Sequence, residues 1–448
     1  MLIHLTQGGL ILYLKLNFKK RFIIYIIVIL VINIGFFILH KNPSVSKLDQ
    51  LNTSEKSVPS ISKNYSLTQD ESKNLKHKDL LRFIFSSPYD ENELKTAIED
   101  IYNRRSSAFV TGDLLSLKPY FDTSQKFGVW ALEHEVKRVK YLHDWSKERG
   151  MKFTNVQSTV RIKKIHPNTK LIKIALEESY KFDYNYPQDE VPITNSFGVG
   201  IRHVLSLVKK DDKWMVYNDW YTDCFEDALQ AYTGDIKENL SPPSGTAIKR
   251  AGYIPTLLQK QTYKKSYYNR EKAVEYADKY CGAAWGSGNN FKYNKKYKDF
   301  NGAGGDCTNF ASQVLGDKEG GELPTDYTWY CSYSRFGNSQ GSTAWVNADG
   351  LKDYLIYSGK GSVIKKGTFK DLASPLPDLP NGILGKLQLA DLVCYEKKSN
   401  IDHFGIVTGF DSHGYPLINS HTTDRYHVPW DLGWGDNKIK FFLIHING

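Results

Sequence analysis

Phe22 to Leu39 reads FIIYIIVILVINIGFFIL, eighteen consecutive residues without a charge. A run of that length can cross a bilayer as a helix, and apolarity on every face argues against a place in a soluble amphipathic core. Lys19, Lys20 and Arg21 precede it, so the positive-inside rule keeps residues 1–21 in the cytoplasm and sends everything after Leu39 outside. The expectation is a membrane-anchored chain facing the extracellular side, with 22–39 as a transmembrane signal-anchor helix. A cleaved secretory signal is the competing reading, with Ser44-Val45-Ser46 as a small-x-small site, and would make the product secreted.

Residues 40–78 are rich in Ser, Asn, Lys and Asp and nearly devoid of aromatic residues. Such a segment cannot bury enough apolar surface to offset chain entropy, so a flexible tether is expected. The rest of a 448-residue chain that is 41% apolar suffices for two folded domains. Five cysteines without a C-x-x-C pair exclude a zinc knuckle and a dense disulfide framework. A net charge of +10 suits an acidic surrounding such as nucleic acid, anionic lipid or an anionic wall. An outward-facing topology disfavours nucleic acid among these.

Residues 79–239 mix helical and strand periods. Leu94, Ala97, Ile98, Ile101 and Tyr102 recur at helical spacing and stop before Thr111-Gly112-Asp113. A second helical stretch covers about 129–148. Val156 to Ile162, Leu171 to Leu176, Val199 to Leu207 and Trp214 to Trp220 then read as strands of long antiparallel hairpins. Helices first and a curved antiparallel sheet after resemble the cone-like α+β fold of ketosteroid isomerases and nuclear transport factors, which implies an accessory domain that binds a ligand or serves as a scaffold. Residues 240–262 contain Ser241-Pro242-Pro243-Ser244-Gly245 and read as a linker. A second domain spans 263–448.

Chemistry concentrates in that second domain. Gly304 to Gln313 reads GGDCTNFASQ, and from Cys307 the apolar residues fall at Phe310, Ala311, Val314 and Leu315, one face of a helix that starts at the cysteine. Asp306 is placed as its N-cap. A thiol in the first turn of a helix meets unpaired backbone N–H groups that favour thiolate, whereas Asp306 opposes it, so an imidazolium nearby would be the larger stabilising influence. The base is sought in an antiparallel meander: Leu392 to Tyr395, then Asp402 to Gly409 with His403 at its entrance, then Pro416 to His421. Asn419 and His421 share a face by alternation, and either could orient the imidazole, with Asn419 taken first. Asn301, six residues before Cys307, is a candidate oxyanion donor. Trp329, Tyr330 and Trp345 could line a substrate groove or fill a core. No His/Asp/Glu spacing suggests a metal, and no cofactor is expected.

GGDCTNFASQ, the helix YNREKAVEYADKYC, DHFGIVTG and PLINSHTTDR together resemble the putative amidase domain family of Gram-positive bacteria, similar to the papain-like NlpC and CHAP cell-wall hydrolases. The resemblance implies a papain-like α+β domain with Cys307 as nucleophile, His403 as base and a third polar residue on the following strand. It also implies a cysteine amidase or peptidase acting on peptidoglycan or another envelope peptide. Ala390 stands where many relatives carry Gly, a difference expected to alter only a turn. An acyltransferase or transglutaminase-like enzyme on the same fold and a catalytically idle wall-binding module are the rivals.

Overall fold

The computed structural model describes residues 2–6, 9–13, 89–167, 171–232, 267–333, 339–434 and 439–448. The expected anchor at 22–39, tether at 40–78 and linker at 240–262 lie outside the described residues. Among the described residues no helix is long and apolar enough to cross a membrane. Residues 1–80 and 81–448 form two separate units. In the first, β1 (Leu2–Thr6) and β2 (Gly9–Tyr13) pair antiparallel.

The second unit is α+β. Helix α1 (Glu91–Thr111) starts where the Asp90 carboxylate accepts the Asn92 and Glu93 N–H groups and ends at Gly112, whose φ of 73° suits glycine. Helix α2 (Lys126–Glu148) begins a turn earlier than the apolar spacing predicts. Strands β3 (Lys152–Pro167), β4 (Ile172–Asn185), β5 (Asn195–Lys210) and β6 (Lys213–Tyr221) follow as antiparallel neighbours. They run longer than the alternating stretches suggested, because cross-strand pairing carries polar positions such as Ser158 and Glu178 along with the apolar ones.

The carboxy-terminal segment opens with α3 (Arg270–Tyr280), capped by Asn269, and α4 (Cys307–Gly316). A short hairpin, β7 (Cys331–Tyr333) and β8 (Ser339–Gly341), precedes α5 (Ala348–Tyr357). Strands β9 (Gly361–Gly367), β10 (Leu392–Lys397), β11 (Asn400–Phe410), β12 (Pro416–Ser420), β13 (Asp424–Pro429) and β14 (Ile439–Ile446) complete the unit.

The two segments share one sheet. Its order is β3-β4-β5-β13-β12-β11-β10-β14-β9, with β6 also on β5, and the joint is antiparallel pairing of Asp424, Arg425 and Tyr426 with Gly200, Val199 and Gly198. The glycines make that joint possible: a Cβ on Gly198 would lie 2.1 Å from the Trp285 carbonyl oxygen, and one on Gly200 would lie 2.4 Å from the Ala283 carbonyl carbon.

Each face of the sheet carries its own core. On one face Val393, Tyr395, Val407, Phe441 and Leu443 join the α1 and α2 residues Leu94, Ile98, Val136 and Trp145. On the other, Leu392, Cys394, Phe404, Ile406 and Ile444 pack on Ala277 of α3 and Phe310, Ala311 and Val314 of α4. Buried polar bonds cross between the segments as well, including Arg149 Nη2 to Asp431 at 2.7 Å and Trp145 Nε1 to the same carboxylate at 3.0 Å.

Candidate active site

Helix α4 begins at Cys307, and the residues at its apolar spacing, Phe310, Ala311, Val314 and Leu315, are all fully buried. The Cys307 side chain is 8% exposed. Its sulfur faces the backbone N–H of Phe404 on β11 and lies 3.8 Å from Thr308 Oγ1. Burial pushes the thiol pKa up and the Asp306 charge adds to that, against the opposing pull of the Phe404 N–H and Thr308. The sequence-based expectation of a helix-stabilised thiolate is therefore corrected: desolvation outweighs the helix terminus and favours the thiol over the thiolate.

Asp306 stands at the N-cap position, but its side chain caps nothing. Its Oδ1 accepts the Phe300 N–H at 3.0 Å and Asn309 Nδ2 at 2.9 Å, and its Oδ2 is 2.6 Å from His421 Nδ1. The other His421 nitrogen is 2.8 Å from the Tyr280 carbonyl, and the ring is sandwiched between Tyr293 and Phe310 at centroid distances of 3.7 and 3.8 Å. His421 is thus held on every side by α3, α4 and the loop between them.

His403 directly precedes Phe404, the residue whose N–H meets the sulfur. Strand alternation sends the Phe404 side chain into the α4 core and the His403 ring to the other face, 5.3 Å from the Trp434 ring and 5.7 Å from Tyr395. His403 is 4% exposed, and its Nε2 has no hydrogen-bond partner among the described residues. Burial, then the Arg425 charge, then His421 hold its pKa well below the usual imidazole value, which favours the neutral ring. No hydrogen bond joins it to Cys307 Sγ.

The expected geometry of the third residue changes too. Asn419 sits opposite Ile406, not His403. Its Oδ1 accepts Thr408 Oγ1 at 2.8 Å and the His427 N–H at 2.7 Å, and its Nδ2 donates to Asp278 at 2.7 Å. With these bonds made, Asn419 braces β11, β12 and α3 and does not touch His403. Asn301 donates through Nδ2 to the Tyr293 hydroxyl at 2.8 Å and accepts Thr422 Oγ1 at 2.7 Å.

Two of the three groove aromatics are corrected. Trp329 and Trp345 are 0% and 2% exposed and lie 5.0 Å apart between ring centroids. Their indole N–H groups donate to Ser312 Oγ and Asn309 Oδ1, both at 3.0 Å. Such rings are core, since a groove needs a face open to ligand. Tyr330 remains exposed.

Sequence reading missed Thr422, Tyr293, Asp424 and Arg202, which build the wall behind Asp306. Thr422 and Asp424 lie inside the quoted PLINSHTTDR stretch, and their polarity beside His421 was the available signal. Arg202 lies on β5, in the other segment, and had none. Cys224, Cys281, Cys307 and Cys394 are unbridged thiols, and among the described residues no cluster of three or more His, Cys, Asp or Glu side chains is placed to hold a metal.

Residues 267–444 match the model of a family described as "Putative amidase domain". No curated protein sequence matches the chain. Two solved structures share partial similarity. The intermembrane space region of chloroplast protein ARC6 is 9% identical over 30% of this chain and 98% of its own, with a TM-score of 0.22. An NTF2-like transpeptidase from Campylobacter jejuni, titled "putative", is 19% identical over 27% of this chain and 95% of its own, with a TM-score of 0.15.

Proposed function

We propose that this protein is a cysteine-dependent amide hydrolase, an amidase or peptidase, acting outside the cytoplasm on peptidoglycan or another envelope peptide. One observation carries the reading: within the stretch that matches an amidase domain, a cysteine heads a helix with its sulfur against the N–H of Phe404, and the adjoining residue is a buried histidine kept neutral with a free Nε2. A neutral imidazole and a protonated thiol are the starting state of a nucleophile–base pair, here held on opposite faces of the same strand in the resting structure.

In the proposed cycle the entrance of β11, where its ladder with β10 slips between Tyr395 and Glu396, rearranges to bring His403 from the opposite face to the sulfur, and His403 takes the Cys307 proton as the sulfur attacks the amide carbonyl. A C–S bond forms and the carbonyl electron pair moves to oxygen, which the Cys307 backbone N–H is positioned to receive at the start of α4. The C–N bond breaks, His403 gives its proton to the departing amine, and water deprotonated by His403 resolves the thioester to acid and free thiol. His421, held on the carboxylate of Asp306 next to Cys307, serves as the third polar group in this reading, with Asn419 a brace for the strands. Anchoring through residues 22–39 would hold the enzyme at the outer membrane face, beside an anionic wall that suits a net charge of +10.

The test is incubation of the full chain and its Cys307→Ala form with muropeptides, read by mass spectrometry. A defined amide cleavage that vanishes in the variant, a loss of about 10³-fold or more, is expected. Equal product profiles would overturn the reading. Added amines appearing in the product would redirect it to acyl transfer by the same thioester.

A further inference from the structure

The wall behind Asp306 draws on the amino-terminal segment of the shared sheet. Arg202 on β5 donates through Nη2 to Asp424 Oδ2 at 2.9 Å across the joint where Asp424 pairs with Gly200. Asp424 is wholly buried and spends both oxygens: Oδ2 also accepts the Ala283 N–H at 2.6 Å, and Oδ1 accepts the Tyr293 hydroxyl. A buried carboxylate in this setting needs its cation, because removing one partner leaves an uncompensated charge.

From Tyr293 the structure runs to the cysteine by two routes. The ring stacks on His421, with interplanar angle 13°, and His421 reaches the Asp306 carboxylate. The hydroxyl accepts Asn301 Nδ2, Asn301 accepts Thr422 Oγ1, and Thr422 Oγ1 accepts the Asp306 N–H at 2.7 Å. Both routes end on the residue before Cys307. The Arg202 guanidinium itself lies 5.1 Å from the Tyr293 ring centroid, so it grips the phenol as well as the carboxylate.

We infer that Arg202 is a positioning residue for the Cys307 site, acting through Asp424 and Tyr293 to keep His421 on the Asp306 carboxylate. The amino-terminal segment thereby completes a site whose reactive groups all lie in the carboxy-terminal one. The inference builds on the cysteine reading above, but its wiring can be read without turnover. When His421 is held on Asp306, the carboxylate is compensated. When it is released, Asp306 keeps the Phe300 N–H and Asn309 as donors but loses its imidazole partner, and the less compensated charge beside the thiol disfavours thiolate.

The experiment measures alkylation of Cys307 by iodoacetamide, a neutral electrophile, across pH 5–10 in the full chain, followed by peptide mass spectrometry. In Arg202→Ala the alkylation midpoint is expected to move to higher pH, with Arg202→Lys restoring part of the shift. On muropeptides kcat should fall on the order of 10- to 100-fold with KM little changed. An Arg202→Ala profile that overlays the wild type overturns the inference. Should that variant lose its near-UV circular dichroism, Tyr293→Phe carries the same test: it keeps the ring on His421 and removes the hydroxyl linking Asp424 to Asn301. An unshifted midpoint in Tyr293→Phe would then overturn it. If Cys307→Ala still cleaves muropeptides, the catalytic reading fails by itself, and the alkylation midpoint still reports on the wiring.

Discussion

His203 on β5 and His403 on β11 are almost equally hidden from water, at 2% and 4% exposed, and their surroundings push them in opposite directions. His203 lies between two carboxylates, with Nδ1 3.1 Å from Asp219 and Nε2 3.2 Å from Glu178. Although burial works against its charge, Asp219 and then Glu178 outweigh burial and raise its pKa to about 9. His403 has aromatic rings for neighbours and no carboxylate partner; burial, then the Arg425 charge, then His421 lower its pKa, and the neutral ring is favoured. Depth alone does not set protonation; the partners admitted to that depth do.

The lesson extends to the regions around the two rings. Near His203 the ionised groups compensate one another: Arg105 pairs with Asp219 at 2.7 Å, and Arg138 lies 3.0 Å from Glu135 and 3.2 Å from Asp223. Such a network is matched and holds its charges in place, which suits a scaffold. Near His403 a lone pair is left unspent, which suits a base.

The comparison can be broken at several points. His403→Gln is expected to have the largest effect, lowering kcat/KM on a cleavable amide by about 10²- to 10⁴-fold, the usual worth of a general base. Activity within tenfold of wild type would remove His403 from the chemistry. His203→Ala should leave turnover per folded molecule near wild type and cost about 3–5 kcal/mol of stability, because Glu178 and Asp219 lose the cation between them. Urea unfolding measures this, and a loss under 1 kcal/mol would mean that the pair is not ionised.

The pH dependence of stability should separate the rings again. A raised folded pKa at His203 gives stability that is fully present below about 6.5, the unfolded value, and is lost as pH climbs through about 9. A depressed folded pKa at His403 does the reverse: the unfolded state takes up a proton below about 6.5 that the native ring refuses, so stability falls as the solution is acidified from there. Unfolding curves from pH 5 to 10 should therefore flatten on the alkaline side in His203→Ala and on the acid side in His403→Gln. Imidazole NMR offers a direct check, since a charged His403 at pH 6 would cancel the contrast.

The smallest effect is expected at Ala390, where φ is 63° in a buried turn whose N–H donates to the Val407 carbonyl at 2.7 Å. Ala390→Gly should relieve about 1 kcal/mol of backbone strain, partly offset by the freer unfolded chain, and leave both histidines as they are. A lower melting temperature would contradict it.

Much of the fold was legible locally. The α1 row from Leu94 to Tyr102, the Cys307 row and the meander from Leu392 to Ser420 fell on helices and strands because the 3.6- and 2-residue periods are written in consecutive residues. Glycine at 112 and proline at 416 marked ends for equally local reasons. The site was legible in its residue types but not in its bonds. Asp306 looked like a cap until His421, 115 positions away, took its carboxylate. Trp329 and Trp345 could have lined a groove or filled a core, and only the folded chain, in which Ser312 and Asn309 take their N–H groups, put them in the core.

By itself the sequence determined which segments are helical, which alternate, and that a cysteine would stand at a helix start with a histidine on a nearby strand. Tertiary structure alone decided that β5 and β13 would join two segments into one sheet, that Arg202 would reach the wall behind Cys307, and that one buried histidine would be charged and another neutral. The reason is range. Backbone periodicity is set by neighbours along the chain, whereas desolvation and charge pairing depend on groups that only the folded chain brings within a few ångströms.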